Sequence, residues 1–259
     1  LIIRMKTLLA KHRSIRKFRS EPIAPEVLQD MLEAASRAST CGNMQLYSLI
    51  VTQSRELREA LAPCHFNQPM VTQAPCVITV CADVHRFSMW CEQRDAEPCY
   101  DNFAWFLNGV TDALLAAQNL CVEAEAHGLG ICYLGTTIYT AEEIARILDL
   151  PKGVIPVTTI VVGHPDESPE LTDRLPLDAV VHCEKYHHYT SSEIDELWAE
   201  KETSEETRRL LEENGLPNLA QIFTRNRYRA EDNLAISRNY FALLKNCLLY
   251  TSPSPRDRQ

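Results

Sequence analysis

The residues best suited to chemistry form a short basic segment near the start of a chain whose formal net charge is −9. Residues 11–18 are KHRSIRKF, with five Lys, Arg or His side chains among eight positions. In an extended conformation, His12, Ser14 and Arg16 would project to one side. Imidazole, hydroxyl and guanidinium groups suit a phosphate monoester, because together they supply charge, bidentate geometry and a neutral donor. The alternative is a basic helix end that interacts with its own C-terminal dipole, and the segment alone does not decide between the two.

A loop of small residues, ASTCGNMQ at 38–45, is a second candidate for ligand binding. Small side chains let backbone N–H and C=O groups approach a flat heteroaromatic ligand closely. Asn43 and Gln45 offer amides to the polar edge of such a ligand, and Cys41 is the only cysteine in a loop of this composition. The sequence therefore predicts a contact site for a planar ligand.

Several common motifs are excluded. GLGICYLG at 128–135 leaves a helix and enters a strand, whereas a dinucleotide-binding fingerprint requires the reverse order. The sequence contains neither a phosphate-binding P-loop nor the G-x-S-x-G elbow of hydrolases. The spacing of His182, Cys183, His187 and His188 matches no zinc pattern, so no metal site is predicted.

Helices and strands alternate along the chain and predict a mixed α and β protein. Strands are predicted at 47–52, 76–83, 131–135 and 154–163, and helices beginning at Pro25 and at 54–62, 101–128, 140–150 and 230–244. The helix at 101–128 is apolar around most of its girth and is predicted to be the core helix. Thr140 stands three residues before Glu143, the spacing of a capping box.

Composition sets further limits. The chain has 259 residues, enough for a sizeable core, and its acidic balance argues against a nucleic-acid partner. No apolar run is long enough for a membrane-spanning helix, so no membrane partner is expected. The ten cysteines are scattered, which favours buried, reduced thiols and a cytoplasmic location.

Four segments together resemble the nitroreductase family of FMN-dependent reductases. HRSIRKF, ASTCGNMQ, GLGICYLG and GHPDESPELTDRLP occur in that family's order and spacing, with similarity from His12 to His188 and more loosely to Phe241. The branch most similar contains NADPH-flavin reductases and oxygen-insensitive nitroreductases. The resemblance implies an α+β fold, with a mainly antiparallel sheet flanked by helices, in an intertwined homodimer with one FMN at each end of its interface.

The resemblance also implies a domain organisation. Residues 1–192 are predicted to form the FMN-binding core and residues 193–247 a helical C-terminal extension. Residues 248–259, LLYTSPSPRDRQ, are predicted to be a non-native or disordered tail, because a segment rich in Ser, Pro and Arg has few apolar side chains to bury.

The predicted flavin site follows from the same resemblance. The matching positions are His12, Arg13, Ser14, Arg16, Ser39, Thr40, Gln45, Gln68, Tyr133, Leu134, Gly135, Thr136 and Arg174. The opening motif and Arg174 would hold the FMN phosphate, Arg16 would lie toward the N1/O2 edge, and the remaining segments would contact the ring. Two positions depart from the family pattern: Thr172 replaces a usual second cation, and Leu46 a usual proline.

The function implied is an FMN-dependent NAD(P)H oxidoreductase with NADPH or NADH as donor. Hydride would pass through the flavin, in a ping-pong cycle, to small molecules such as nitroaromatics, quinones or free flavin, with no side chain acting as a catalytic residue. Arg225, Arg227 and Arg229 are candidates for the 2′-phosphate of NADPH. The alternatives are a specialised FMN enzyme of the same fold, for dehalogenation or peptide-azoline oxidation, and a non-catalytic FMN-binding protein.

Overall fold

A computed structural model describes residues 8–248, so the predicted tail lies outside the described residues except for Leu248. The chain divides into two compact units. One extends to Glu170 and resumes at Arg238, and the other is Leu171–Ser237. The first unit thus ends before residue 192, and the predicted boundary between core and extension stays a prediction.

A four-stranded sheet forms the centre of the first unit. Its strands are β1 (Tyr47–Thr52), β2 (Cys76–Asp83), β3 (Gly130–Leu134) and β4 (Val154–Gly163). The spatial order is β1-β2-β4-β3, and every neighbouring pair is antiparallel. The antiparallel sheet expected from the resemblance is confirmed. Three of the four strands have the predicted bounds, and β3 begins and ends one residue early.

Helices surround this sheet. In the first unit they are α1 (Pro25–Ser36), α2 (Arg55–Leu61), α3 (Met70–Gln73), α4 (His85–Glu92), α5 (Phe103–Ala126) and α6 (Ala141–Ile147). The second unit contains α7 (Ser191–Thr203), α8 (Glu205–Asn214), α9 (Leu219–Ile222) and a π-helical turn at Phe223–Arg227. The last helix, α10 (Ala230–Cys247), begins in the second unit and ends in the first.

The predicted capping box at Thr140 is wrong. The Thr140 side chain makes no cap hydrogen bond to α6. Its hydroxyl donates instead to the carbonyl of Cys64 at 2.8 Å, because a tertiary acceptor competes with the local one.

Strand β2 is buried along its whole length because both faces of the sheet are covered. Successive side chains alternate between faces. Ile78 and Val80 belong to the cluster that includes residues of α1 and α5, whereas Val77 packs with Ile15 and Phe18 of the basic segment. This second cluster fixes the basic segment to the sheet through its apolar positions.

The basic segment (residues 11–18) lies alongside β3. Ser14 forms a parallel bridge with Ile131, and the Ile15 N–H donates to the Ile131 carbonyl at 2.9 Å. A Cβ atom at Gly130 would stand only 2.7 Å from the Cβ of Ile15, so glycine is needed for this close approach. The predicted extended conformation is observed at Ser14 and Ile15, whereas the N–H groups of Lys11 and His12 donate to the Leu8 and Leu9 carbonyls at 3.0 and 3.3 Å, as at a helix end.

Helix α5 is a core helix on one face only. Ala113, Ala117 and Leu120 are fully buried in the main cluster. The predicted core helix is confirmed, although Leu114 and Leu115 on its other side are 43% and 44% exposed in the single chain.

All ten cysteines lie in the described part of the chain and are free thiols. Six of the seven between residues 64 and 132 are buried, and Cys99 is exposed. Burial raises the pKa of Cys76, Cys81 and Cys121 to about 12, so these thiols stay protonated. None of the described helices combines the length and the apolar character that crossing a membrane requires.

Candidate cofactor site

The first part of the basic segment is anchored by two long-range contacts. The Nδ1 atom of His12 lies 2.7 Å from a carboxylate oxygen of Glu125, near the end of α5. The Arg13 guanidinium donates to the carbonyl of Pro169 at 2.7 Å. These partners orient the two basic side chains that precede Ser14, and oriented donors of this kind suit an anion.

Arg16 projects from the outer part of the segment. Its backbone N–H donates to Glu167 Oε1 at 2.6 Å, and the N–H of Lys17 donates to the same oxygen at 3.1 Å. Glu167 therefore holds the backbone while the Arg16 side chain stays exposed. The charge of Arg16 also acts on Cys132 of β3: burial raises the pKa of this thiol, and Arg16 offsets part of that rise. Arg16 thus lies beside β3.

The turn after β3 presents its backbone to the outside. Gly135 is exposed, and a Cβ atom added there would meet no other atom within 4 Å. The Thr137 hydroxyl donates to the Leu134 carbonyl at 2.9 Å and can accept from the Thr159 hydroxyl, whose oxygen is also 2.9 Å away. The turn is fixed from its buried side and open on the other, a geometry that admits a flat ring.

The Gln68 segment is joined to this turn by a buried histidine. His65 Nδ1 lies 2.8 Å from the Thr136 hydroxyl oxygen. Burial lowers the pKa of His65 to about 4, so the ring is neutral at physiological pH. Gln68, half-buried, follows three residues later.

The loop at 39–46 is held by a buried carboxylate. Asp112 of α5 is 1% exposed and accepts hydrogen bonds from Cys41 N–H at 2.9 Å and Leu46 N–H at 3.0 Å. Between these anchors, Asn43 and Gln45 have positive φ angles of 56° and 53°. The Gln45 amide donates to the backbone carbonyl of Asn43 at 3.0 Å and to its side-chain Oδ1 at 3.1 Å, so the two amides predicted to face a ligand bond to each other.

Sheet order separates this loop from the other predicted contacts. The loop leads into β1, at the opposite edge of the sheet from β3. Three strand spacings amount to about 14 Å. No hydrogen bond within residues 8–248 joins the loop to the segments 12–16, 65–68 or 133–136. Within one chain, the structure brings these three segments together and leaves Ser39, Thr40 and Gln45 apart from them.

Arg174 belongs to the second unit. Its guanidinium donates to Thr172 Oγ1 at 2.6 Å and to the Asp173 carbonyl at 2.8 Å. Thr172 therefore supplies no second cation but orients the neighbouring one.

The three candidate arginines for NADPH differ in their surroundings. Arg229 forms an ion pair with Asp232 at 2.8 Å. The Arg227 guanidinium lies 5.6 Å from the centroid of the Phe223 ring. Arg225 is exposed in the same π-helical turn.

Sequence reasoning missed the residues that position the site: His65, Asp112, Glu125 and Glu167. Asp112 carries a detectable signal, since it is an acid directly before the buried Ala113 in an apolar helix. An acid at such a position requires a partner. His65 and Glu167 lie in irregular segments, where no periodicity marks which side chain turns inward.

Known proteins are similar to this chain in sequence. A sequence model of the nitroreductase family matches residues 9–105 and 62–164. An NADPH-dependent oxidoreductase of Staphylococcus aureus (strain USA300) is 36% identical over 184 residues, which are 70% of this chain and 73% of that protein.

Two solved structures resemble more than nine-tenths of the chain. A proposed oxidoreductase of Bacteroides fragilis superposes with a TM-score of 0.92 at 47% identity, over 93% of this chain and 98% of that one. The NADPH:FMN oxidoreductase of Vibrio harveyi, complexed with NAD+, gives a TM-score of 0.74 at 26% identity, over 91% and 97% of the two chains.

Proposed function

This chain belongs to the nitroreductase family and is an NAD(P)H-dependent oxidoreductase, and on that basis we propose that FMN is its cofactor. The second substrate is a small oxidised molecule, with nitroaromatics, quinones and free flavin as the candidate classes. The observation that carries the proposal is the position of the basic segment alongside β3, next to an open glycine turn.

The basic segment suits the phosphate of FMN. His12 and Arg13 supply charged or chargeable donors that Glu125 and Pro169 hold in place. Ser14 adds a neutral hydroxyl to this set. In an otherwise acidic chain, this donor set favours a compact dianion over a larger acidic partner.

The turn after β3 suits the flavin ring. Exposed backbone at Gly135 and the neighbouring Tyr133, Leu134 and Thr136 would line one side of it, with Gln68 offering an amide to a polar edge. When bound, FMN supplies the redox chemistry, accepting a hydride from NAD(P)H and delivering electrons to the second substrate.

The proposed role of Arg16 is to stabilise the negative charge of the reduced cofactor. An exposed guanidinium beside β3 keeps its positive charge at every physiological pH. Near the N1/O2 edge it would favour the reduced, more negative form of the cofactor. No side chain of the site is proposed to act as a catalytic acid, base or nucleophile.

A homodimer is proposed for two reasons. Leu107, Leu114 and Leu115 leave an apolar stripe of α5 exposed in the single chain. The loop carrying Ser39 and Thr40, at the opposite sheet edge from β3, would complete the flavin site of a second copy.

Steady-state kinetics test the proposed cycle. With NADPH and a quinone varied together, a ping-pong cycle gives parallel double-reciprocal lines, whereas intersecting lines would contradict it.

Arg16→Ala should slow anaerobic flavin reduction by about tenfold. Arg19→Ala is the matched control, since Arg19 is an exposed arginine of the same region that pairs with Glu21 at 3.6 Å. Equal rates in the two variants would remove the role of Arg16.

A further inference from the structure

The His65 imidazole is fully buried and has one hydrogen-bond partner among the described residues. It ends the 3₁₀ turn Ala62–His65, and its exposed fraction is 0%. Nδ1 lies 2.8 Å from Thr136 Oγ1. Nε2 is buried and has no partner in the described structure.

A ring in this state carries an unmet hydrogen-bonding requirement. A neutral imidazole has one N–H and one lone pair, so one of these always stands at Nε2, whichever tautomer forms. An apolar side chain of similar size would avoid that penalty. The bond at Nδ1 is therefore the feature that distinguishes histidine from an apolar residue here.

Two further contacts join the same parts of the chain. The Thr140 hydroxyl donates to the Cys64 carbonyl at 2.8 Å. The rings of Phe66 and Tyr139 lie 5.9 Å apart. Residues 64–66 and 136–140 are thus tied at three places, of which the His65–Thr136 bond is nearest to the open Gly135.

The backbone after His65 transmits this attachment to Gln68. Phe66 and Asn67 both have positive φ angles, 56° and 54°, which residues other than glycine rarely adopt. The Asn67 N–H donates to the Ala62 carbonyl at 2.9 Å, and the Gln68 N–H to the His65 carbonyl at 3.1 Å. Gln68 therefore has a defined position relative to His65, and through it to Thr136.

We propose that His65 is a positioning residue that holds the Gly135–Thr136 turn and Gln68 at a fixed separation, as two sides of one binding surface. Its importance for FMN rests on the proposed function, whereas its hold on the turn does not. His65 itself touches no cofactor.

Two substitutions separate the hydrogen bond from the volume of the side chain. The terminal atoms of asparagine stand where Nδ1 stands, two bonds from Cβ, so His65→Asn can still bond Thr136. Glutamine is closer to histidine in volume, but its amide reaches the position of Nε2. A role in packing alone predicts that His65→Gln is the milder change, whereas the proposal predicts that His65→Asn is.

Hydrogen exchange of the FMN-free protein is the first readout. In His65→Gln, the amides of residues 134–138 should exchange about fivefold faster than in the wild type, and in His65→Asn they should change little. Thr136→Val removes the partner hydroxyl and should match His65→Gln, which also covers the case in which His65→Gln does not fold. The double variant His65→Gln/Thr136→Val should be no worse than either single one.

The dissociation constant for FMN is the second readout. His65→Gln and Thr136→Val should each raise it by about fivefold. Thr52→Val is the matched control, because Thr52 is a buried threonine of β1 whose hydroxyl has no partner within residues 8–248. Equal exchange in His65→Asn and His65→Gln, or additive effects in the double variant, would overturn the proposal. Wild-type protein that takes up no FMN would instead overturn the proposed function, and the exchange rates would still decide the role of His65.

Discussion

The His12 ring and the Glu125 carboxylate are 2.7 Å apart, and this pair joins the basic segment to the end of α5. An ionised carboxylate only accepts hydrogen bonds, so Nδ1 of His12 carries the proton. The orientation of the ring is thereby fixed, and Nε2 is left as the atom that can face a ligand.

Glu125→Gln should therefore weaken FMN binding. The amide can present either its oxygen or its NH₂ to His12, so the ring is no longer held in one tautomer, and a rise in the dissociation constant of about fivefold is expected. Fluorescence titration of the FMN-free protein measures it. The control is Glu123→Gln on the same helix, where Glu123 lies 3.3 Å from His127 instead. Equal dissociation constants in the two variants would contradict the role of Glu125.

Asp112→Asn should destabilise the protein. Both carboxylate oxygens accept backbone N–H groups of the 39–46 loop, whereas an amide offers one acceptor and turns its NH₂ toward the other N–H. A buried donor left without a partner costs roughly 2 kcal/mol of unfolding free energy. Urea denaturation measures the loss, with the exposed Asp195→Asn as a control expected to change little. Unchanged stability of Asp112→Asn would show that the carboxylate does not anchor the loop.

Stability should fall as the pH is lowered between about 6.5 and 4. Burial lowers the pKa of His65 from its usual value of 6.5 to about 4 in the folded protein. Within that window the unfolded chain binds a proton that the native chain does not, so acidification favours unfolding, by roughly 3 kcal/mol in total.

His65→Asn should flatten this dependence, because it removes the titrating group. Urea midpoints at pH 7, 5.5 and 4.5 test the difference, with the exposed His188→Gln as the control that keeps the wild-type slope. A wild-type slope in His65→Asn would assign the acid sensitivity to other groups.

Arg225→Gln should raise the KM for NADPH about tenfold and leave the KM for NADH nearly unchanged. The exposed guanidinium is a proposed partner of the 2′-phosphate, which NADH lacks. Arg229→Gln should have a smaller effect, because Asp232 already neutralises Arg229. Parallel rises for both nucleotides in Arg225→Gln would indicate a structural effect rather than recognition of the phosphate.

The strands were predictable from the sequence because their apolar runs have the length of a strand and end at turn residues. The continuous apolar run 76–83 is β2, and 47–52 and 154–163 are β1 and β4 without a shift. Helix α4 was missed, since its eight residues have one buried side chain, Cys91, and no apolar stripe. Local spacing misled at Thr140, where a tertiary acceptor on Cys64 replaced the helix cap.

The site was predictable only as separate segments. Extended geometry correctly placed Ser14 on a strand-like segment, but which strand it joins depends on the fit of Ile15 over Gly130. The distance of the 39–46 loop from the rest follows from sheet order, which no local pattern encodes. The supporting groups His65 and Asp112 act through long-range hydrogen bonds, and their partners cannot be identified from spacing.

The most direct test of the central claim is an anaerobic absorbance spectrum of the purified protein before and after addition of NADPH, and separately of NADH. The flavin absorbance bands of bound or added FMN should bleach promptly when a reduced nicotinamide is added, and they should return when a quinone is supplied. Flavin bands that persist would point to a binding protein without turnover. A colourless protein that takes up no added FMN would contradict the account.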